Sequence, residues 1–351
     1  MGEQVRIGYS FWGFLGAGVC DTPDGGRSHR RVLIDGLRRR GHDIVFLQPD
    51  RDRTEAGADL TGSYTFDDGL PEVDVLFLEW RWPIPGRNTT GCGAPGHTCD
   101  LHRQHQLLDH YTRCRIPSVV WDKDRRLPPE DPLRRAPGVV VCEAALHPSA
   151  GAVSLLFPVD DAVLDAADPA VLAALPRELP LVYVGNQYDR DTAFDTFFAP
   201  AAAHHTHLVA GKWTDTQAWP DVRFIGRVSF PDVARLHGGA LATVLLVPDR
   251  YAAAGQMTQR LAEAVLAGCL PLTPTGVRGA TRFTPARVHV ADGTAVAARL
   301  VELASIVGTA EHTALLRQCL DRLNLFRVSR QLDVLDQVFT RGPRPAATSR
   351  S

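Results

Sequence analysis

At 351 residues the chain is too long for one ordinary domain, and its length predicts two. A formal net charge of −2 excludes a global positive field for nucleic acid or an anionic membrane, and 44% hydrophobic with 22% charged residues describes a soluble globular protein. No apolar run approaches the roughly 20 residues of a membrane helix, nothing resembles a signal peptide, and seven scattered cysteines suit a reducing cytoplasm better than a disulfide framework.

The first strand is Val5–Ser10, followed by the aromatic glycine loop Phe11-Trp-Gly-Phe-Leu-Gly-Ala-Gly18 and a helix over 28–40 with Val32, Leu33 and Leu37 inward. Gly41 then turns into a strand over 44–47, so the chain opens with a strand–loop–helix–strand unit of Rossmann type. Gly16-x-Gly18 lacks its third glycine, which argues against a dinucleotide fingerprint. Such a loop can instead line a ligand cleft, or simply be a mobile connection.

Further strands are predicted at 73–79, 116–121, 138–142 and 152–157, with a helix over 101–112. Strand–helix alternation implies a parallel sheet covered on both faces. Residues 166–180, rich in Ala, Pro and Asp, read as the linker. A second sheet is expected from strands at 181–186, 207–210, 222–225, 242–247 and 270–273, with 288–290 as a further candidate. Helices fall near 193–201, 231–238, 258–267 and 295–305; residues 310–339 read as two closing helices, and the tail from Arg341 as disordered. The domain expectation is therefore 1–170, 171–310, closing helices 311–340 and tail 341–351.

In open parallel sheets ligands bind beyond the carboxyl ends of strands. Three predicted strand ends in the second half carry groups suited to a nucleotide: Gly185-Asn186 with Arg190, Gly211-Lys212, and Gly226-Arg227-Val228. Glycines there let a phosphate or base approach the backbone, and arginines bind phosphates in a fork. The fourth piece is the helix carrying Arg260 and Glu263, three apart and on one face. There an arginine can hold a phosphate and a glutamate can accept two ribose hydroxyls, although a surface ion pair is the plainer reading. Together the four pieces point to a nucleotide-sugar site.

In the first half, Asp122-Lys-Asp124 closes an apolar strand and offers a carboxylate as general base, against the plain alternative of loop ion pairs with Lys123, Arg125 or Arg126. A rival reading is a D-x-D metal clamp on a diphosphate. Cys92, His97, Cys99 and His102 raise a zinc question, but C-x4-H-x-C-x2-H matches no common finger spacing, and no metal is assigned.

These motifs resemble GT-B glycosyltransferases, and within them the phage DNA β-glucosyltransferases of the T-even type. Asp124-Arg-Arg-Leu-Pro128 matches the family's Asp-x-Arg-Leu-Pro, Tyr183-Val-Gly185 with Arg190 its Tyr-Gly-Gly and following arginines, Gly226-Arg-Val228 its Gly-Lys-Ile, and Arg260-Leu-Ala-Glu263 its Arg-x-x-Glu. The segment before Arg190 is shorter than in the family, and one arginine has no clear partner. The resemblance implies two facing Rossmann-like domains, acceptor first and donor second, with C-terminal helices returning to the first. It implies inverting transfer of glucose from UDP-glucose, with Asp124 as base and Asp122 as runner-up. Donor contacts would come from Gly185, Asn186, Arg190, Gly211, Gly226, Arg227, Val228, Arg260 and Glu263. No tightly bound cofactor is expected, and a divalent metal is optional.

The chain also resembles actinomycete glucosyltransferases of nucleoside-antibiotic pathways. That resemblance implies a free adenosine-type nucleoside or nucleotide as acceptor, with DNA disfavoured by the charge. Phe11, Trp12, Gly16 and Trp82 are the candidate acceptor contacts, aromatic stacking on a purine competing with core packing.

Overall fold

Two parallel sheets organise the described residues, 4–15 and 27–341, of this computed structural model. The first contains β1 (Arg6–Ser10), β2 (Asp43–Phe46), β3 (Thr65–Phe66), β4 (Val75–Glu79), β5 (Ser118–Asp122), β6 (Val139–Glu143) and β7 (Val153–Ser154). Its order is β3-β2-β1-β4-β5-β6-β7, every pair parallel. β4 and β5 are buried along their whole length, as strands sandwiched between helices must be.

The second sheet contains β8 (Leu179–Val184), β9 (His207–Ala210), β10 (Ala240–Val244), β11 (Leu270–Pro274) and β12 (His289–Val290), in the order β12-β11-β10-β8-β9. Each sheet reverses its winding once, between β1 and β4 and between β8 and β10. Those are the switch points at which open α/β sheets leave a crevice.

The chain divides into two units. One takes the described residues up to Pro158 and from Val328 onward; the other is Val159–Arg327. Of the two closing helices, Ala310–Leu323 thus lies in the second unit and only Val328–Arg341 in the first. This last helix packs on Arg27–Arg39 so closely that a Cβ on Gly36 would stand 3.0 Å from both Leu332 and Val328. Leu33, Leu37, Phe77, Trp121, Leu332 and Leu335 share one buried core there, and Gln331 Oε1 accepts the Leu156 N–H at 2.8 Å.

Several expectations change. Residues 166–180 are not an open linker: they hold the helix Pro169–Ala174, capped by Asp168. The strand expected at 222–225 is reduced to one parallel bridge, Val209↔Phe224, because Gly226 turns away with φ +75°. The helix expected at 193–201 contains a wide π turn over Phe194–Phe198, whose rings pack among Tyr183, Trp213 and Trp219. Gly16 and the tail beyond Arg341 lie outside the described residues. No helix among the described residues is long and apolar enough to cross a membrane.

Candidate active site

In the second unit the glycine strand ends converge through backbone bonds. Gly185 N–H donates to Ala210 O and Gly211 N–H to Gly226 O, both at 2.8 Å. Gly211 adopts φ +136°, and a Cβ there would overlap the Gly185 carbonyl. Asn186 Oδ1 accepts the Lys212 N–H at 2.8 Å, and Trp213 Nε1 donates to Gly185 O at 2.8 Å. Asn186 therefore clasps two strand ends together, a positioning role. Gly226 and Arg227 are exposed, and Val228 packs partly buried on the cluster around Val182 and Val184.

Arg260 opens the helix Arg260–Leu266 and folds back over this floor. Its Cζ lies 5.0 Å from the centroid of the Tyr183 ring, a cation–π contact. Tyr183 and Gly185 are two apart and so share one side of the strand, which is why one guanidinium can cover both. Loss of hydration lowers the Arg260 pKa, the nearby Arg190 lowers it further, and Tyr183 and Glu263 oppose the shift. Among the described residues no acceptor receives a hydrogen bond from the Arg260 guanidinium.

Arg190 donates to the carbonyls of Tyr188, Asn186 and Leu246 and meets no carboxylate among the described residues. Two neighbouring guanidinium groups with no carboxylate hydrogen-bond partner among the described residues, the Arg260 group partly buried, have the chemistry to take an anion. Glu263 lies three residues beyond Arg260 and acts on it electrostatically. His237 was not foreseen. It is buried, neither ring nitrogen has a hydrogen-bond partner among the described residues, and burial followed by the Arg260 charge pushes its pKa down to about 3.

In the first unit the candidate base stands on a heavily braced loop. Asp122, fully buried, accepts Arg126 N–H at 2.9 Å and Leu127 N–H at 2.8 Å, one on each oxygen. Its neighbour across the sheet, Glu143, binds Arg125 and holds Arg134 at 2.9 Å. Burial raises the Asp122 pKa to about 6 against those two N–H bonds, and the charges of Asp124 and Glu143 raise it further. With both oxygens turned into its own loop, Asp122 is the clamp. Asp124, two residues on, is partly exposed.

Behind the loop, Lys123 Nζ reaches Glu79 Oε2 at 2.5 Å, while Arg30 binds the same carboxylate at 2.6 and 2.8 Å and Tyr9 OH donates at 2.8 Å. Sequence reading missed this network, although Glu79 ends an otherwise apolar strand. The expected aromatic contacts separate. Phe11 is packed in the core edge-on to Tyr9 and Phe46. Trp12 is buried and meets Trp82 edge-on at 4.6 Å; Trp82 keeps some exposed surface.

Sheet orders, two α/β units and a C-terminal helix returning to the first unit define the GT-B class of fold. No protein-family profile and no curated protein matches the sequence. Among solved structures, T4 phage beta-glucosyltransferase is similar over 95% of this chain and 99% of its own, at 14% identity and a TM-score of 0.62, in complexes with UDP-glucose and with UDP and Mn2+. An alpha-glucosyltransferase in complex with UDP-glucose and DNA containing an abasic site is 10% identical with a TM-score of 0.64, covering 96% of this chain and 100% of its own. Anabaena HepE, in complex with UDP and glucose, is 11% identical with a TM-score of 0.55 over 96% and 100%.

Proposed function

We propose that the protein is an inverting, UDP-glucose-dependent O-glucosyltransferase that forms a β-glucoside on a ribose hydroxyl of an adenosine-type nucleoside or nucleotide. One observation carries the donor half: the partly buried Arg260 guanidinium over Tyr183, beside Arg190, with no hydrogen-bond acceptor among the described residues. In this reading Arg260 and Arg190 take the diphosphate, Glu263 the ribose, and the backbone at Val228 the base. Gly185, Asn186, Gly211, Gly226 and Arg227 shape the surrounding floor.

Asp124 is the base. Its carboxylate takes the acceptor proton as the acceptor oxygen attacks the anomeric carbon. The bond from that carbon to the UDP oxygen breaks on the opposite face, so an α-linked donor yields a β-linked product, and the arginines stabilise the charge on departing UDP. A net charge of −2 supports a small acceptor over DNA, whose binding rests on phosphate neutralisation. Trp82 is the aromatic best suited to stack on the acceptor base.

A second reading, DNA β-glucosyltransferase acting on a hydroxymethylated pyrimidine, is favoured by a neighbouring beta-glucosyltransferase structure described as a DNA modifying enzyme. A third, a nucleotide-binding module without turnover, is favoured only by the rule that fold does not dictate activity. The deciding experiment incubates the protein with UDP-sugars against nucleosides, nucleotides and hydroxymethylated duplex DNA, read by mass spectrometry. A hexose added to a free nucleoside or nucleotide supports the first reading, and a hexose on DNA alone the second. UDP binding without transfer or UDP-glucose hydrolysis would support the third.

A further inference from the structure

The connection from β4 to the helix Asp100–Arg113 brings Cys92, His97, Cys99 and His102 together. One potential ligand atom from each lies within 4.8 Å of all the others. The Cys92 and Cys99 sulfurs are 3.9 Å apart, and Cys92 Sγ is 3.3 Å from His102 Nδ1. A tetrahedral zinc ion with bonds of about 2.3 Å to sulfur and about 2.0 Å to nitrogen needs ligand atoms roughly 3.3–3.8 Å apart, so the cluster needs little adjustment to close on one.

Local structure explains how an unfamiliar spacing achieves this. Gly93 and Gly96 take φ +85° and +75°, two left-handed turns that fold the segment between the first two residues. Cys99 is the N-cap of the helix yet makes no side-chain cap bond, and His102 follows it by three, on the same face. His97 is oriented as a metal-binding histidine would be. Its Nδ1 is paired with Thr90 Oγ1 at 3.0 Å, while its Nε2 is buried with no hydrogen-bond partner among the described residues.

We propose that Cys92, His97, Cys99 and His102 form a structural zinc site, with His97 bound through Nε2 and His102 through Nδ1. Two thiolates and two imidazoles suit zinc among the common divalent ions, and all four positions are filled by protein, so the ion is structural and not catalytic. Binding displaces the two thiol protons to solvent. The clip ties the loop to the helix that also holds the end of β4. Gln104 on that helix accepts the Arg81 N–H and donates to the Arg81 carbonyl, and Trp82 follows directly. Zinc would therefore fix the segment that positions Trp82 against Trp12.

The test uses the full chain, reduced and freed of metal with a chelator, then given zinc chloride alone and desalted. Elemental analysis should find about one zinc per chain. Cobalt chloride in its place should give the intense visible bands of a tetrahedral ion with a thiolate charge-transfer band. Cys92→Ser with Cys99→Ser should lower zinc affinity by more than about tenfold, Thr90→Val should weaken it by about tenfold, and Cys114→Ser should leave it unchanged. Should the double variant prove insoluble, the zinc ratio and cobalt spectrum of the unaltered chain decide alone. Wild-type protein that retains no zinc, gives the weak spectrum of octahedral cobalt, or joins Cys92 to Cys99 in a disulfide in place of the metal would overturn the site.

Discussion

A Cβ on Gly185 would stand 2.7 Å from Cζ of Arg260 and would overlap its Nη2. The glycine at the end of β8 is thus the seat of the guanidinium. The same Cβ would stand 2.8 Å from the hydroxyl of the buried Tyr183, so Gly185→Ala should lose the cation's position, whose flexible end can move away, at some cost in stability. Charge-assisted bonds to a phosphate are worth about 1.5–3 kcal/mol. We expect Arg260→Ala to weaken UDP binding by about tenfold or more, and Gly185→Ala to do nearly as much. The double variant should be little worse than either, as for two changes that remove one interaction. Calorimetry showing wild-type UDP affinity in folded Arg260→Ala would remove Arg260 from the donor site.

Gly211 faces a stricter constraint. Its φ of +136° is poorly tolerated by side chains, and the clash is with the Gly185 carbonyl, a backbone atom. Gly211→Ala should destabilise the protein by about 2–3 kcal/mol. A urea midpoint equal to that of the wild type would show that the two strand ends are not held as tightly as described.

The two aspartates of the β5 loop should separate by phenotype. Asp124→Asn is expected to keep UDP affinity and the unfolding midpoint while turnover falls by about 10²–10⁴, the usual cost of losing a general base. Asp122→Ala leaves the Arg126 and Leu127 N–H groups without their carboxylate and should destabilise the fold. Near-wild-type kcat in Asp124→Asn, or an α-linked product by NMR coupling, is incompatible with the mechanism.

His237 should make stability pH-dependent. Its folded pKa, about 3, lies below the ordinary histidine value of 6.5, so folding favours the neutral ring. That contribution is complete above pH 6.5 and is lost progressively as pH falls toward 3. By pH 5 the loss attributable to this group is about 2 kcal/mol. His237→Leu should therefore lose about 2 kcal/mol less than the wild type between pH 7.5 and 5 in paired urea titrations. Parallel pH profiles in the two proteins would contradict the assignment.

Much of this architecture is written locally. Alternating apolar strands and helices determine two parallel sheets, and the glycines at 185, 211 and 226 are legible as chain-turning positions, although only the structure shows a different reason at each: a guanidinium over Gly185, a backbone carbonyl against Gly211 and a left-handed φ at Gly226. Arg260 and Glu263 are visible as a pair because helical spacing is a local property. Other features depend on distant partners. Which aspartate of Asp122-x-Asp124 faces inward depends on the loop's amides and on Glu143 across the sheet. Phe11 belongs to the core because Phe46 and Tyr9 meet it there. Cys92, His97, Cys99 and His102 raise a zinc question in the sequence, but their unfamiliar spacing leaves it open, because spacing rules describe known turns. Gly93, Gly96 and the start of a helix make a different turn that brings the four side chains to one point. The sequence alone determines periodicity and backbone freedom; side-chain convergence is decided by the packing of segments far apart in the chain, to which local patterns are blind.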